Sequence, residues 1–177
     1  NPVSDVTQCG MVDGYFVALD AATSTLKVSD LLDGSTWSGI STMQRSSAAD
    51  PWQSLLVRGR TILLFGSETT EPLYDAGTSP FPFASVPGVI IPYGIDGPFS
   101  AQTLGTSTIW VTRSKDGGRQ VVQMQGYTVQ RISTHAMEMA LSRYDDVSDA
   151  VAYTYQDQGH QFYVLNLPRA DATWVYD

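Results

Sequence analysis

The fold is decided by the stretch Ala150-Val-Ala-Tyr-Thr-Tyr155, Gln156-Asp-Gln-Gly159, His160-Gln-Phe-Tyr-Val-Leu165, Pro168-Arg-Ala-Asp171 and Thr173-Trp-Val-Tyr176. Its three short runs are rich in Val, Tyr, Phe and Trp, and each is closed by Gly, Pro or Asp, the residues that turns favour. This pattern predicts an antiparallel meander of three strands. Such a meander needs neighbours to cover its apolar face, so similar units are expected elsewhere in the chain.

Similar units recur upstream, each made of short apolar or alternating runs around a turn. They are Gly14-Tyr-Phe-Val-Ala-Leu19 with Thr25-Leu-Lys-Val28, Gln53-Ser-Leu-Leu-Val57 with Thr61-Ile-Leu-Leu-Phe65, and Thr108-Ile-Trp-Val-Thr-Arg113 with Gln120-Val-Val-Gln-Met124. Glu71-Pro-Leu-Tyr-Asp75 adds a strand, and Pro72 predicts that this strand lies at a sheet edge or begins there. We expect the core aromatics of three units to be Trp37, Trp110 and Trp174.

One short helix is predicted near residues 134–144. Thr134 is a suitable N-cap, Glu138 lies in the first turn, and apolar residues follow at helical spacing, namely Ala136, Met137, Ala140, Leu141 and Tyr144. Between residues 76 and 97, repeated Pro and Gly predict a long irregular connection packed over a sheet.

The sequence therefore predicts an all-β fold of antiparallel meanders, packed as blades of a partial β-propeller. About four units at a spacing of roughly 35 to 50 residues match the spacing of propeller blades. A β-sandwich also uses short strands, but grouping into meanders favours radial packing. We expect residues 1–177 to form a single propeller-like domain, and we expect a longer parent chain because four units are few for a closed propeller.

Composition excludes several classes of function. The 177 residues carry a formal net charge of −8, which repels nucleic-acid phosphates, and no basic cluster offsets it. Sequence-specific nucleic-acid binding is therefore not expected. The lone Cys9 excludes an internal disulfide and a Cys-based zinc site. No long apolar run or basic amphipathic segment is present, so we expect neither a membrane span nor a membrane anchor.

No catalytic, cofactor-binding or metal-binding set is predicted. Ser114-Lys-Asp-Gly-Gly118 is similar to an Asp-box turn of sialidase-like propellers, and Asp33-Gly-Ser-Thr-Trp37 is similar to it less closely. In both turns the Asp can accept hydrogen bonds from its own turn, which is a folding role. The two imidazoles, His135 and His160, are predicted to be capping or surface residues. The alternative function is a sialidase-like propeller that binds or cleaves glycans.

Four charged residues are candidates for contact with a partner chain. Arg58 and Arg60 flank a predicted hairpin tip, where guanidinium groups can pair with acidic groups of another protein. Glu68 and Glu71 lie in Ser67-Glu-Thr-Thr-Glu71, which follows an apolar strand and is otherwise expected to be a polar hairpin loop.

Five segments, taken in order, resemble the packaged-DNA stabilisation proteins of short-tailed lambdoid phages, the podoviral tail accessory factors also described as tail hubs or head-completion proteins. The first runs from Leu55-Leu-Val57 through Ile62-Leu-Leu-Phe-Gly-Ser-Glu-Thr-Thr-Glu71 and is similar to the family's strand pair followed by Phe-Gly-Ser-x-Thr-x-Glu. The others are the Pro/Gly stretch ending at Gly94-Ile95, Ile109-Trp-Val111, Val129-Gln-Arg-Ile-Ser-Thr134, and Gly159-His160 through Leu165-Asn-Leu-Pro168 to Thr173-Trp-Val-Tyr-Asp177.

The resemblance implies a structural protein of the virion tail, synthesised in the bacterial host cytoplasm. It further implies a homo-oligomeric ring, a hexamer, that lies between the portal adaptor and the tail needle, closes the portal channel and stabilises packaged DNA. Portal-adaptor, tail-needle and tailspike proteins would be its partners. The family has no catalytic residues to carry over, so an enzyme is not expected.

Overall fold

The computed structural model describes residues 3–45 and 49–177. The chain divides into two compact units, Asn1–Ile90 and Ile91–Asp177. Each unit contains two antiparallel sheets in which strands adjacent in sequence pair with each other. The all-β prediction of successive meanders is therefore confirmed. The prediction of a single domain over residues 1–177 stays a prediction.

The first unit contains two four-stranded meanders. The strands of the first sheet are β1 (Gln8–Val12), β2 (Tyr15–Asp20), β3 (Thr25–Asp30) and β4 (Asp33–Gln44). Those of the second sheet are β5 (Ser54–Arg58), β6 (Thr61–Phe65), β7 (Thr70–Asp75) and β8 (Phe83–Ser85). Every second residue of the apolar runs in β2 and β6 faces one core, which contains aliphatic side chains of both sheets together with the fully buried Trp52.

The second unit contains a four-stranded and a three-stranded meander. The first sheet consists of β9 (Gln102–Leu104), β10 (Ser107–Arg113), β11 (Arg119–Gln125) and β12 (Thr128–Arg131). Helix α1 (His135–Ser142) follows, and the second sheet consists of β13 (Val151–Asp157), β14 (His160–Leu167) and β15 (Ala172–Tyr176). A 3₁₀ turn at Pro168–Ala170 connects the last two strands. The three-stranded meander predicted for residues 150–176 is thus confirmed.

Helix α1 begins where the sequence predicts. The Thr134 side chain accepts a hydrogen bond from the Met137 backbone N–H at 3.4 Å, which satisfies one of the free donors of the first turn. Glu138 lies in that turn, and Leu141 is buried against the core of the second unit. The helix ends at Ser142, so Tyr144 lies beyond it.

Two details of the sequence interpretation are wrong. Strand β7 is internal and not at an edge, because β8 forms within the predicted irregular connection and pairs with β7 from Leu73 onward, directly after Pro72. Of the three expected core aromatics, Trp110 is fully buried and the half-buried Trp174 packs against the core of the second unit, whereas the half-buried Trp37 is not part of the core of the first unit. The second fully buried tryptophan is Trp52, which precedes β5.

Candidate partner-contact site

Arg58 and Arg60 lie at the tip of the hairpin between β5 and β6, as predicted. Arg58 pairs with Thr61 in the register of the two strands, which leaves a two-residue connection. Gly59 begins this connection with a φ of +58°, a conformation that glycine adopts without strain. The Arg60 side chain is 81% exposed, and its Nε donates a hydrogen bond to Oδ1 of Asp13 at 2.8 Å.

This contact joins two neighbouring hairpin tips, and a third tip lies beside them. Asp13 and Gly14 form the connection between β1 and β2, while Leu31 and Leu32 form the connection between β3 and β4. The Leu32 backbone N–H donates a hydrogen bond to the Gly14 carbonyl at 2.8 Å. Three two-residue connections, at 13–14, 31–32 and 59–60, therefore meet at one end of the first unit. We call this surface the hairpin end.

Glu68 lies at the opposite end of β6, in the connection between β6 and β7. Its side chain is exposed, while the backbone around it is fixed by the Asp50 carboxylate. Oδ1 of Asp50 accepts from the N–H and hydroxyl of Ser67 at 2.7 and 2.8 Å. Oδ2 accepts from the N–H of Glu68 at 3.1 Å and from the N–H and hydroxyl of Thr69, both at 2.9 Å. We call this arrangement the carboxylate cradle.

Glu71 is placed differently from the other three candidates. It lies within β7 and is 2% exposed, so it is not part of a loop tip. Its Oε2 lies 3.5 Å from Nε of the buried Arg45, and its Oε1 accepts a hydrogen bond from the Ser85 hydroxyl at 2.6 Å. Since its carboxylate is directed at residues of its own unit, Arg58, Arg60 and Glu68 remain as candidates for partner contact.

Arg45 links Glu71 to the cradle. Its Nη1 lies 3.2 Å from Oδ2 of Asp50, and the guanidinium also donates to the Asp50 carbonyl and the Thr69 hydroxyl. Burial raises the pKa of Asp50, but the hydrogen bonds from Ser67, Glu68 and Thr69 outweigh it and hold that pKa below its ordinary value. The carboxylate is therefore ionised at neutral pH and the loop that carries Glu68 has a fixed conformation.

Gly66 makes this close approach possible. A Cβ atom at position 66 would lie 2.2 Å from Oδ2 of Asp50 and 2.6 Å from Nη1 of Arg45. Any larger residue would displace the ion pair, because real Cβ atoms do not approach other atoms so closely. The Phe-Gly-Ser-x-Thr-x-Glu segment of this chain, residues 65–71, thus lines the carboxylate cradle around Asp50.

The two Asp-box-like turns differ from each other. Asp33 accepts hydrogen bonds from the Ser35 N–H, the Ser35 hydroxyl and the Thr36 hydroxyl at 2.8, 2.6 and 2.8 Å, which lowers the pKa of Asp33 to about 2. In the turn at 114–118, the Ser114 hydroxyl instead accepts from the Gly118 N–H at 3.2 Å. The folding role predicted for the Asp is seen at Asp33, while in the other turn Ser114 makes the contact predicted for Asp116.

The imidazoles lie where the sequence places them. His135 is the exposed first residue of α1, and His160 is the exposed first residue of β14, with its Nδ1 2.9 Å from Oδ2 of Asp177. Cys9 is a free, exposed thiol. Within the described ranges, His, Cys, Asp and Glu side chains form no group of three or more that could hold a metal ion.

In the described part of the chain, no helix is both long enough and apolar enough to cross a bilayer.

The second unit contains a pocket of about 220 Å³ between the start of α1 and β15, with apolar walls that include Ile132, Met137 and Trp174. The sequence did not signal this pocket, because its walls come from segments far apart in the chain.

Comparison with known proteins identifies the family. A family model described as the β-propeller Gp10 of bacteriophage P22 matches residues 2–177. The chain belongs to this family of phage packaged-DNA stabilisation proteins, and its successive antiparallel meanders are blades of the propeller that the family describes. The resemblance found in the sequence is thereby confirmed.

Among solved structures, a protein from Bacteroides fragilis is similar to the chain, with 12% sequence identity and a TM-score of 0.37. The similarity covers 98% of this chain and 71% of that protein. No curated protein matches the chain.

Proposed function

We propose that this protein is a structural component of the virion tail that closes the portal channel and stabilises packaged DNA. It would act as a homo-oligomeric ring, a hexamer, between the portal adaptor and the tail needle, with tailspike proteins as further neighbours. The observation that carries this proposal is the family match, which extends over residues 2–177. The protein would be synthesised in the host cytoplasm and would act by contact, without catalysis.

The position of the candidate residues supports contacts on two sides. Arg60 lies at the start of β6 and Glu68 follows its end, so a cation and an anion are exposed at opposite ends of the same strand. A ring held between two other assemblies needs contact groups at both of its ends. Because the two ends present different groups, each end would favour a different partner.

The charge of the chain supports closure and not a grip on DNA. With a formal net charge of −8, each copy repels the phosphate backbone at long range. A closed ring of such chains would fill the channel and block the exit of DNA. This role would not need contacts to bases or phosphates.

The test is reconstitution of the full-length protein with the purified portal–adaptor assembly of the same phage, followed by native mass spectrometry and negative-stain imaging. We expect a stoichiometric ring on the adaptor. Arg60→Glu and Glu68→Lys should each weaken one of the two contacts, while Lys115→Glu, a charge reversal at an exposed hairpin tip of the second unit, serves as the matched control. Failure of the wild-type protein to bind any portal or adaptor assembly would overturn the proposal.

A further inference from the structure

The connection between β3 and β4 has an unusual composition. Within the described ranges, six hairpins have two-residue connections, at 13–14, 31–32, 59–60, 105–106, 126–127 and 158–159. All of these contain a glycine except Leu31-Leu32. Glycine is preferred there because these turns require left-handed backbone, which a side chain disfavours. We call residues 31–32 the leucine turn.

The leucine turn is unfavourable for folding in two ways. Leu32 has a φ of +59°, and the other non-glycine residues with positive φ in the described ranges are polar, namely Asp13, Ser24, Gln158 and Asp171. The side chains of Leu31 and Leu32 are also 55% and 79% exposed. A strained backbone that presents an apolar side chain to water is the kind of outlier that occurs at functional positions.

The contacts of the leucine turn hold it in place. Its backbone is joined to the neighbouring tip by the hydrogen bond from the Leu32 N–H to the Gly14 carbonyl. A Cβ atom on Gly14 would lie 3.0 Å from Leu32 and 3.1 Å from Leu31, so both side chains lie directly over that glycine. Phe16 lies beside the same turn and is partly exposed. The two leucines thus stand on a fixed base with a further apolar side chain at their flank.

Acidic residues border the leucine turn on both sides. Asp30 and Asp33 are opposite each other in the strand register, although like charges at such a position repel. The three hydrogen bonds that Asp33 accepts stabilise its ionised form. Arg60, at a neighbouring tip of the hairpin end, is paired with Asp13, which offsets its positive charge. The turn therefore presents an apolar centre within a negative border.

We propose that the leucine turn is a docking element that inserts into an apolar pocket, bordered by Lys or Arg, on a different protein of the same particle. The proposal deepens the proposed function and rests on it. Charge complementarity selects this partner. Asp30 and Asp33 border the two leucines, so a pocket with a basic border attracts the turn, whereas a second leucine turn or an anionic lipid surface has the same sign of charge and repels it.

The first experiment identifies what the turn contacts. The photoreactive residue p-benzoylphenylalanine replaces Leu31 in the full-length protein during phage infection, and it replaces Ile40 in a matched control. Ile40 is an aliphatic residue of β4 that is 71% exposed but lies outside the turn. We expect a cross-link from position 31 to a different phage protein, at an apolar segment bordered by Lys or Arg. Cross-links to another copy of this chain, to lipid, or at the level of the control would each overturn the proposal.

The second experiment separates docking from folding. Leu32→Gly relieves the left-handed strain and removes the side chain, so the melting temperature should stay equal to that of the wild type or rise. Binding to the cross-linked partner should weaken by about tenfold or more, as for a central apolar anchor. Leu31→Ser should weaken it similarly, and Ile40→Ser should not. A large fall in melting temperature for Leu32→Gly, or unchanged binding for both leucine variants, would refute the docking role.

The two proposals fail in different ways. If the wild-type protein does not join the portal–adaptor assembly, the proposed function fails, whatever position 31 contacts. If the wild type joins the assembly and the leucine variants join equally well, only the docking role fails.

Discussion

Replacement of Asp50 by Asn tests whether the carboxylate cradle stabilises the first unit. The carboxylate accepts five hydrogen bonds from three consecutive residues, and its side chain is almost fully buried. Asparagine has nearly the same shape, but one of its two terminal atoms is an NH₂ group that cannot accept. In one orientation this group faces the Ser67 N–H, and in the other it faces the Thr69 N–H.

The expected magnitude follows from the lost acceptor. In the less damaging orientation, the Ser67 N–H loses its acceptor, while the Ser67 hydroxyl can rotate and accept from the new NH₂ group. At about 1.5 to 3 kcal/mol for a hydrogen bond to a charged group, the loss is about 1.5 to 3 kcal/mol. Glu71 still lies 3.5 Å from Nε of Arg45, so the guanidinium keeps a carboxylate and the larger penalty of an unpaired buried charge does not add.

The assay is urea unfolding at pH 7, combined with hydrogen exchange of peptides from β6 and β7, which reports on the unit that carries the change. The control is Asp33→Asn, which removes a carboxylate with three similar hydrogen bonds at an exposed turn, and which should lower stability much less. A loss below about 1 kcal/mol for Asp50→Asn would refute the reasoning, because it would mean that these hydrogen bonds are no better than those to water. An equal loss for both variants would refute the role of burial.

Three further changes test other parts of the structure. The pKa of Asp50 in the folded chain lies below its ordinary 3.8, so the ionised carboxylate stabilises the fold fully well above pH 3.8 and loses this effect as the pH falls through the folded value. In acid titrations, the difference in unfolding free energy between wild type and Asp50→Asn should therefore shrink. Gly66→Ala should destabilise by about 1 to 3 kcal/mol in urea unfolding through overpacking, whereas Gly39→Ala, whose added Cβ meets no atom within 4 Å, should not. Trp110→Phe leaves the Gly94 carbonyl without its 2.8 Å donor and should lower the free energy of unfolding, measured by thermal unfolding, by about 1 to 3 kcal/mol. The control Trp37→Phe loses a hydrogen bond of the same length at an exposed site and should lower the free energy of unfolding less. Equal losses for the two variants would contradict this reasoning.

The strands could be predicted from the sequence because their signals are local. Asp13-Gly14, Gly59 and Gln158-Gly159 mark hairpin tips, and the alternation of apolar residues between them sets the strand faces. Strand β8 was missed because its three residues lie between prolines and glycines, and it exists only through pairing with β7. Short edge strands of this kind are specified by their neighbour and not by their own sequence.

The cradle could not be predicted because its members are distant in sequence. The composition of Ser67-Glu-Thr-Thr-Glu71 predicts a polar hairpin loop, but the N–H groups of residues 67–69 donate to Asp50, which lies 17 residues before Ser67. Glu71 has the composition of a loop residue, yet Arg45 and Ser85 make a buried position possible. A buried carboxylate that stays ionised requires such partners, and a single sequence does not state which residues they are.

The two ends of β6 carry different structures: the carboxylate cradle follows the strand at Glu68, and the hairpin end precedes it at Arg60. At one end, Asp50 fixes the backbone N–H of Glu68, so the exposed carboxylate is carried by a loop that is already ordered before any partner arrives. Contact groups on an ordered loop lose little conformational freedom on binding, and this raises affinity without added contact area. At the other end, Arg60 is held by Asp13 and the leucine turn is held over Gly14. In the proposed contact role, the hydrogen bonds within this unit would therefore lower the conformational entropy lost on binding at both ends of β6.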